Sequence, residues 1–104
     1  MAVREKQISP AEAAGMVEDG SLLGFTTPVL DSGPMAFLRE LVRRRKKNLR
    51  LATLTGGGLN VDFLIGAGVV AEYETCHCSL GELGAAPNFQ RALRAQAFKM
   101  KDTT

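Results

Sequence analysis

Tryptophan is absent from these 104 residues and tyrosine occurs once. A surface that binds single-stranded nucleic acid by stacking needs several aromatic faces, so that class is not expected. Charge of one sign is also scarce in excess. Thirteen Lys and Arg stand against eleven Asp and Glu, for a net charge of +2, too little to imply nucleic-acid binding from charge alone. No run approaches the ~18 apolar residues of a membrane span. The opening Met1 to Ser9 lacks the apolar stretch of a secretory signal, so no membrane partner and a cytoplasmic location are expected. The only cysteines, Cys76 and Cys78, flank the only histidine, His77. Two cysteines one residue apart cannot staple a fold, and a disulfide between them is strained. Reduced thiols are the expectation. A zinc site needs three or four ligands, and alternate residues of an extended strand point to opposite faces. No metal site is therefore expected, and the triplet reads as a strand end near a pocket, with His77 a polar lining group.

What is present fits one small globular domain. Apolar residues make up 45% and charged residues 23%, ordinary values for such a chain. Ser9-Pro10-Ala11-Glu12 is a capping box with proline at the first helical position, and Asp19-Gly20 is the expected end of that helix. Leu22-Leu23-Gly24-Phe25 is a short apolar run that reads as a buried strand. Pro34 opens a second helix, with Met35, Leu38, Leu41 and Val42 on one face. Leu49 to Leu54 is a second strand. A short helix spans Val61 to Ile65, and Val69 to Tyr73 is a third strand. After Pro87-Asn88 a last helix carries Phe89, Leu93 and Ala97 at steps of four.

The order is helix, then strand and helix three times. The strand starts, at Leu22, Leu49 and Val69, are too far apart for hairpins and suit helical crossovers. The fold class is therefore α/β, an open parallel sheet with right-handed βαβ crossovers and helices on its faces. Ligands of such sheets sit at the carboxyl ends of the strands, and all three strands run into Gly- or Thr-rich loops there. Three strands make a thin sheet with unprotected edges. An incomplete domain, or a protomer completed by a partner, is the expectation.

The candidate residues lie in those loops. Gly56-Gly57-Gly58 lets backbone approach a phosphate or carbonyl closely, or is a plain flexible turn. It lacks the pattern of a phosphate loop or a dinucleotide fingerprint. Glu82 lies between Gly81 and Leu83-Gly84, placed as an exposed base or nucleophile or as a solvated loop carboxylate. The basic run Arg43 to Lys47 reads as a solvated helix end, where the dipole favours cations.

Four stretches in order resemble a known family. They are Asp19 to Leu23, Pro34-Met35-Ala36 with Leu41-Val42-Arg43, Asp62 to Val70, and above all Leu80 to Ala92. From about Ile8 to Phe98 the chain resembles the N-terminal part of the alpha (A) subunit of class I CoA-transferases, the glutaconate CoA-transferase branch. The whole chain, 1–104, is then the N-terminal part of such a domain. The resemblance implies a two-subunit active site and exchange of CoA between an acyl-CoA and a free carboxylic acid. It implies an acyl anhydride and then a glutamyl-CoA thioester on an active-site Glu, with amides holding the oxyanion. Coenzyme A is then a substrate, with no permanently bound cofactor. Two departures stand out. Where the family has glycines after the first strand, this chain reads Gly24-Phe25-Thr26-Thr27, and the two threonines offer hydroxyl donors instead. Sliding the family's Ser-Glu-Asn-Gly stretch onto Cys78-Ser79-Leu80-Gly81 puts Ser79 in the nucleophile's place. The resemblance therefore implies that a beta subunit supplies the main nucleophilic Glu. Glu82, three positions away, is a minor catalytic candidate. Gly24, Phe25, Thr26, Thr27, Gly56, Gly57, Gly58, Ser79, Gly81 and Gly84 are the expected substrate and CoA contacts. A CoA-thioester hydrolase or ring-opening subunit, or a non-catalytic truncated interaction chain, is the alternative.

Overall fold

A computed structural model describes residues 7–26, 34–54, 57–74 and 78–101. Ser9 starts the first helix, α1 (Pro10–Gly15). Its Oγ accepts from the Glu12 amide at 3.1 Å and the Glu12 carboxylate accepts from the Ser9 amide at 3.4 Å, so the expected capping box forms. The helix ends at Gly15, earlier than Asp19-Gly20. Those two residues instead tie the loop to a distant segment. The Asp19 carboxylate accepts from the Lys47 amide at 2.9 Å, and the Gly20 amide donates to the Lys47 carbonyl at 3.1 Å.

Strand β1 (Leu22–Thr26) leads to α2 (Met35–Arg43), β2 (Leu49–Leu54), α3 (Leu59–Gly66), β3 (Val70–Glu74), α4 (Pro87–Arg94) and β4 (Lys99–Lys101). The sheet has four strands, not the expected three. All neighbouring pairs are parallel, in the order β1-β2-β3-β4. The fourth strand is the short Lys99-Met100-Lys101, which acquires its extended form by pairing with β3.

Each crossover moves one strand along in the same direction. Right-handed connections of that kind place α2, α3 and α4 on one face, where α1 packs on α2 and α3 packs on α4. The register shows the same division. Leu23, Leu51, Tyr73 and Met100 form one row across the sheet; Leu51 and Tyr73 are wholly buried and the outer two partly so. The rows on the opposite face read Leu22, Arg50, Glu72, Lys99 and Gly24, Ala52, Glu74, Lys101. Leu22 is 53% exposed. Among the described residues, helices thus cover one face, where both were expected to be covered. Opposite charges on adjacent strands, Arg50 beside Glu72 beside Lys99, suit the other face to water.

The core lies between the sheet and its single helical layer. Leu38 and Leu41 of α2, Val61 and Leu64 of α3, and Phe89 of α4 fill it. Phe89 meets Tyr73 edge-on with ring centroids 6.1 Å apart, and touches Phe98 at 5.9 Å. The expected Phe89–Leu93–Ala97 face is corrected. Leu93 is 39% exposed and Ala97 lies beyond the helix end, so Phe89 and Ala92 face the core instead.

Three helices end alike. After α3, the Gly68 amide bonds the Ile65 carbonyl and the Val69 amide bonds that of Leu64. After α2 and α4, Arg45-Lys46 and Gln96-Ala97 repeat the pattern. This is the Schellman closure, which needs a left-handed residue. Gly68 supplies it without strain, whereas Arg45 and Gln96 adopt it at φ 58 and 54°. Each closure delivers the chain to its next strand. No described helix is long and apolar enough to cross a membrane.

Candidate functional site at the carboxyl edge of the sheet

Parallel strands place all their carboxyl ends on one edge. Gly24, Phe25 and Thr26 are the last three residues of β1, and Thr26 pairs with Leu54 at the end of β2. β2 separates β1 from β3, so the first and third strand ends are one strand apart, as the crossover rule suggests. Thr27 and Gly56 lie outside the described residues, as do Cys76 and His77.

The loops after β2 and β3 are bonded together. Gly57 bridges Cys78 in parallel fashion, and the Ser79 amide donates to the Gly57 carbonyl at 3.1 Å. Gly57 must be small here. A Cβ at this position would lie 2.3 Å from the Tyr73 hydroxyl and 2.9 Å from Val61 Cγ2. Tyr73 is wholly buried and shares a 3.2 Å hydrogen bond with Thr53, so it cannot swing away cheaply. The glycine is therefore a packing requirement, which neither reading of the Gly-rich run anticipated.

Past Ser79 the chain makes a small closed loop. Leu80 donates to the Gly84 carbonyl at 2.8 Å, and Gly84 to that of Gly81 at 2.9 Å. The Ser79 hydroxyl accepts from the Gly81 amide at 3.4 Å. A single 3₁₀ turn, Gly81–Leu83, presents Glu82 to solvent, and Leu83 beside it is 71% exposed. The structure thus brings Gly57, Gly58, Ser79, Gly81, Glu82 and Gly84 onto two joined loops. Among the described residues these loops enclose no pocket.

Beneath it, Cys78 is buried and its thiol donates to the Gly58 carbonyl at 3.5 Å. Burial, and then the nearby Asp62 charge, push the thiol up to about 12. It stays protonated at neutral pH and is no nucleophile.

Asp62 was missed as a site-building residue. It is 4% exposed, and its Oδ1 accepts from the Phe89 amide at 2.7 Å. Phe89 is the third residue of α4, whose N-cap Ala86 has no side chain to cap with. One helix thus caps the next, and α4 is held against α3 directly after the candidate loop. The Asn88 side chain adds a bond to the Asp62 carbonyl at 3.3 Å. The available signal was the missing cap at Ala86-Pro87, which requires an acceptor from elsewhere.

Two solved structures share this architecture. A variant of the decarboxylase AibA/AibB matches over 93% of the chain with a TM-score of 0.78 and 27% identity. Glutaconate coenzyme A-transferase from Acidaminococcus fermentans matches over 93% with 0.75 and 26%. The fold is CoA-transferase-like. The match supports the CoA-transferase family that the four sequence stretches resemble. The chain spans 38% and 31% of the lengths of those two proteins' chains. No protein-family model matches the sequence, and no curated protein does.

Proposed function

We infer that this chain is the N-terminal part of the alpha subunit of an acyl-CoA:carboxylate CoA-transferase. In this reading it shapes the CoA-ester site, while a beta subunit supplies the nucleophilic Glu. The observation that carries the reading is the likeness to glutaconate coenzyme A-transferase over 93% of the chain. CoA enters as a substrate. The partner's carboxylate attacks the acyl-CoA carbonyl and expels CoA thiolate, leaving a mixed anhydride. The thiolate then attacks the glutamyl carbonyl and releases the first acid. The amides of the Gly57 and Ser79 loops, with Glu82 at their rim, are the groups this chain offers to the bound ester.

The test is reconstitution with a subunit carrying a Ser-Glu-Asn-Gly loop. Acyl exchange between two carboxylic acids is expected from the pair, and none from either chain alone. Sedimentation of the mixture should show a complex heavier than either chain. Turnover by this chain alone contradicts the assignment.

A second reading has a specific observation behind it. One structural neighbour is a decarboxylase, so this scaffold hosts chemistry other than transfer. Hydrolysis or ring opening of a CoA thioester belongs to the same group of readings. The products decide: a new thioester marks transfer, free CoA marks hydrolysis and carbon dioxide marks decarboxylation. A complex that forms but turns over nothing points to a non-catalytic interaction chain.

A further inference from the structure

The small net charge conceals a segregation. Between Arg39 and Arg50 stand seven of the thirteen Lys and Arg and one of the eleven Asp and Glu. The rest of the chain carries six cations against ten anions, so it is acidic outside the end of α2 and the turn into β2. The helix dipole favours cations in the last turn, but Lys46 and Lys47 lie beyond the helix. Arg39 and Arg43, four apart on α2, repel each other. Among the described residues, Arg43 alone of this group has an ion pair, with Glu40. Asp19 borders the group, but its carboxylate accepts from the Lys47 backbone amide. Little within the fold offsets the crowding of these charges.

The backbone holds these cations in place. The Gly20 amide donates to the Lys47 carbonyl at 3.1 Å, the Arg50 amide to that of Ser21 at 2.9 Å, and Arg50 Nε to that of Gly20 at 3.2 Å. Arg45 closes α2 in the left-handed region at φ 58°, where the matching closure of α3 uses Gly68. An arginine there costs stability that glycine would not. Gln96 bears the same strain after α4, so the conformation alone decides nothing; the surrounding charge sets Arg45 apart. An apolar group sits beside it. Met16, at the end of α1, is 76% exposed. A Cβ on the adjacent Gly15 would lie 3.5 Å from Arg44 Nη1, so the Arg44 guanidinium lies over that helix end. Arg and Met are enriched at protein interfaces, and the planar fork of Arg matches a carboxylate. No aromatic residue occurs in Pro10 to Val17 or Arg39 to Arg50 to stack a nucleic-acid base. We propose that this face, centred on Met16, Arg44 and Arg45, docks an acidic segment of another protein: a run of carboxylates carrying an aliphatic side chain that covers Met16. It lies at the amino edge of the sheet, away from the candidate CoA-ester loops, and is independent of the transferase reading.

The test is fluorescence anisotropy of a labelled peptide rich in Glu and Asp and containing Leu, at physiological ionic strength, with thermal unfolding of each variant. The comparison probes are the same peptide with Ser in place of Leu, a single-stranded oligonucleotide of equal charge and phosphatidylserine vesicles. The leucine peptide should bind more tightly than any of these. Arg44→Ala should weaken it about fivefold. Met16→Ser should weaken it by about the same factor and leave the serine peptide unchanged, which separates an apolar contact from charge alone. Arg45→Gly should raise the melting temperature and still weaken the leucine peptide about fivefold. The three side chains are exposed, and the melts check that each variant keeps the fold. Equal binding of the leucine and serine peptides, or binding indifferent to Arg45→Gly, overturns the proposal and leaves a solvated helix end. Tighter binding of the oligonucleotide or the vesicles overturns it in favour of a nucleic acid or a membrane surface. Failure to bind any probe also overturns it.

Discussion

Replacing Asp62 with alanine should be among the most damaging single changes in this chain. Its carboxylate accepts from the Phe89 amide at 2.7 Å, and both residues are buried. Asp62→Ala leaves that amide without its acceptor and strips α4 of the side-chain cap that Asp62 provides. Lost N-caps cost about 0.5–2 kcal/mol, and a hydrogen bond to a charged group contributes about 1.5–3 kcal/mol. The two figures describe one bond and are not summed, so about 2–3 kcal/mol is expected. On a domain of this size that is roughly 10–20 °C in Tm. Asp62→Asn keeps an oxygen acceptor in place and should cost only about 1 kcal/mol. Urea unfolding of the three proteins gives the comparison, and amide exchange locates it, with protection lost first in α4. A loss below about 0.5 kcal/mol for Asp62→Ala, or equal losses for Ala and Asn, would refute the capping role.

Three further outcomes follow from the packing and the helix ends. Gly57→Ala pushes a methyl group against the buried Tyr73 hydroxyl and should destabilise by about 1–3 kcal/mol in chemical denaturation. Gln96→Gly relieves the left-handed residue that closes α4 and should stabilise by up to about 1 kcal/mol, whereas Gly68→Ala should destabilise by a similar amount; thermal melts of the two variants should move in opposite directions. Cys78 is raised from 9.0 to about 12, so the folded chain keeps a proton that the unfolded chain loses. Its contribution is complete below pH 9 and falls away as pH rises from 9 to about 12; the wild type should lose stability more steeply than Cys78→Ala across that window.

Local signals in the sequence covered much of the fold. The Ser9–Glu12 box, Pro34 and Pro87 mark helix starts through chemistry within a few residues. The apolar run Leu49 to Leu54 is continuous enough to read as a strand. What escaped was decided by residues distant in sequence. Asp19-Gly20 looks like a helix stop but is a tertiary anchor for Lys47. Lys99-Met100-Lys101 carries no strand signal of its own and is extended through its parallel pairing with β3, where Glu72 and Glu74 stand opposite its lysines. Leu93 and Ala97 kept a spacing of four, but the helix ended between them in a closure that used Gln96, a residue with no glycine signature. At the site, the strand-end rule led to the right edge of the sheet, while Asp62 looks from sequence like an ordinary polar residue of a helix start. Only packing reveals it as a cap.

Nuclear magnetic resonance mapping with acetyl-CoA tests the carboxyl-edge assignment most directly. At saturating ligand, the amides of Gly57, Gly58, Ser79, Gly81, Glu82 and Gly84 should shift together. Those at the opposite edge, Gly20, Arg45, Asn48, Gly68 and Gln96, should stay in place. Shifts centred on the opposite edge, or none at any concentration, would contradict a CoA-ester site on this chain.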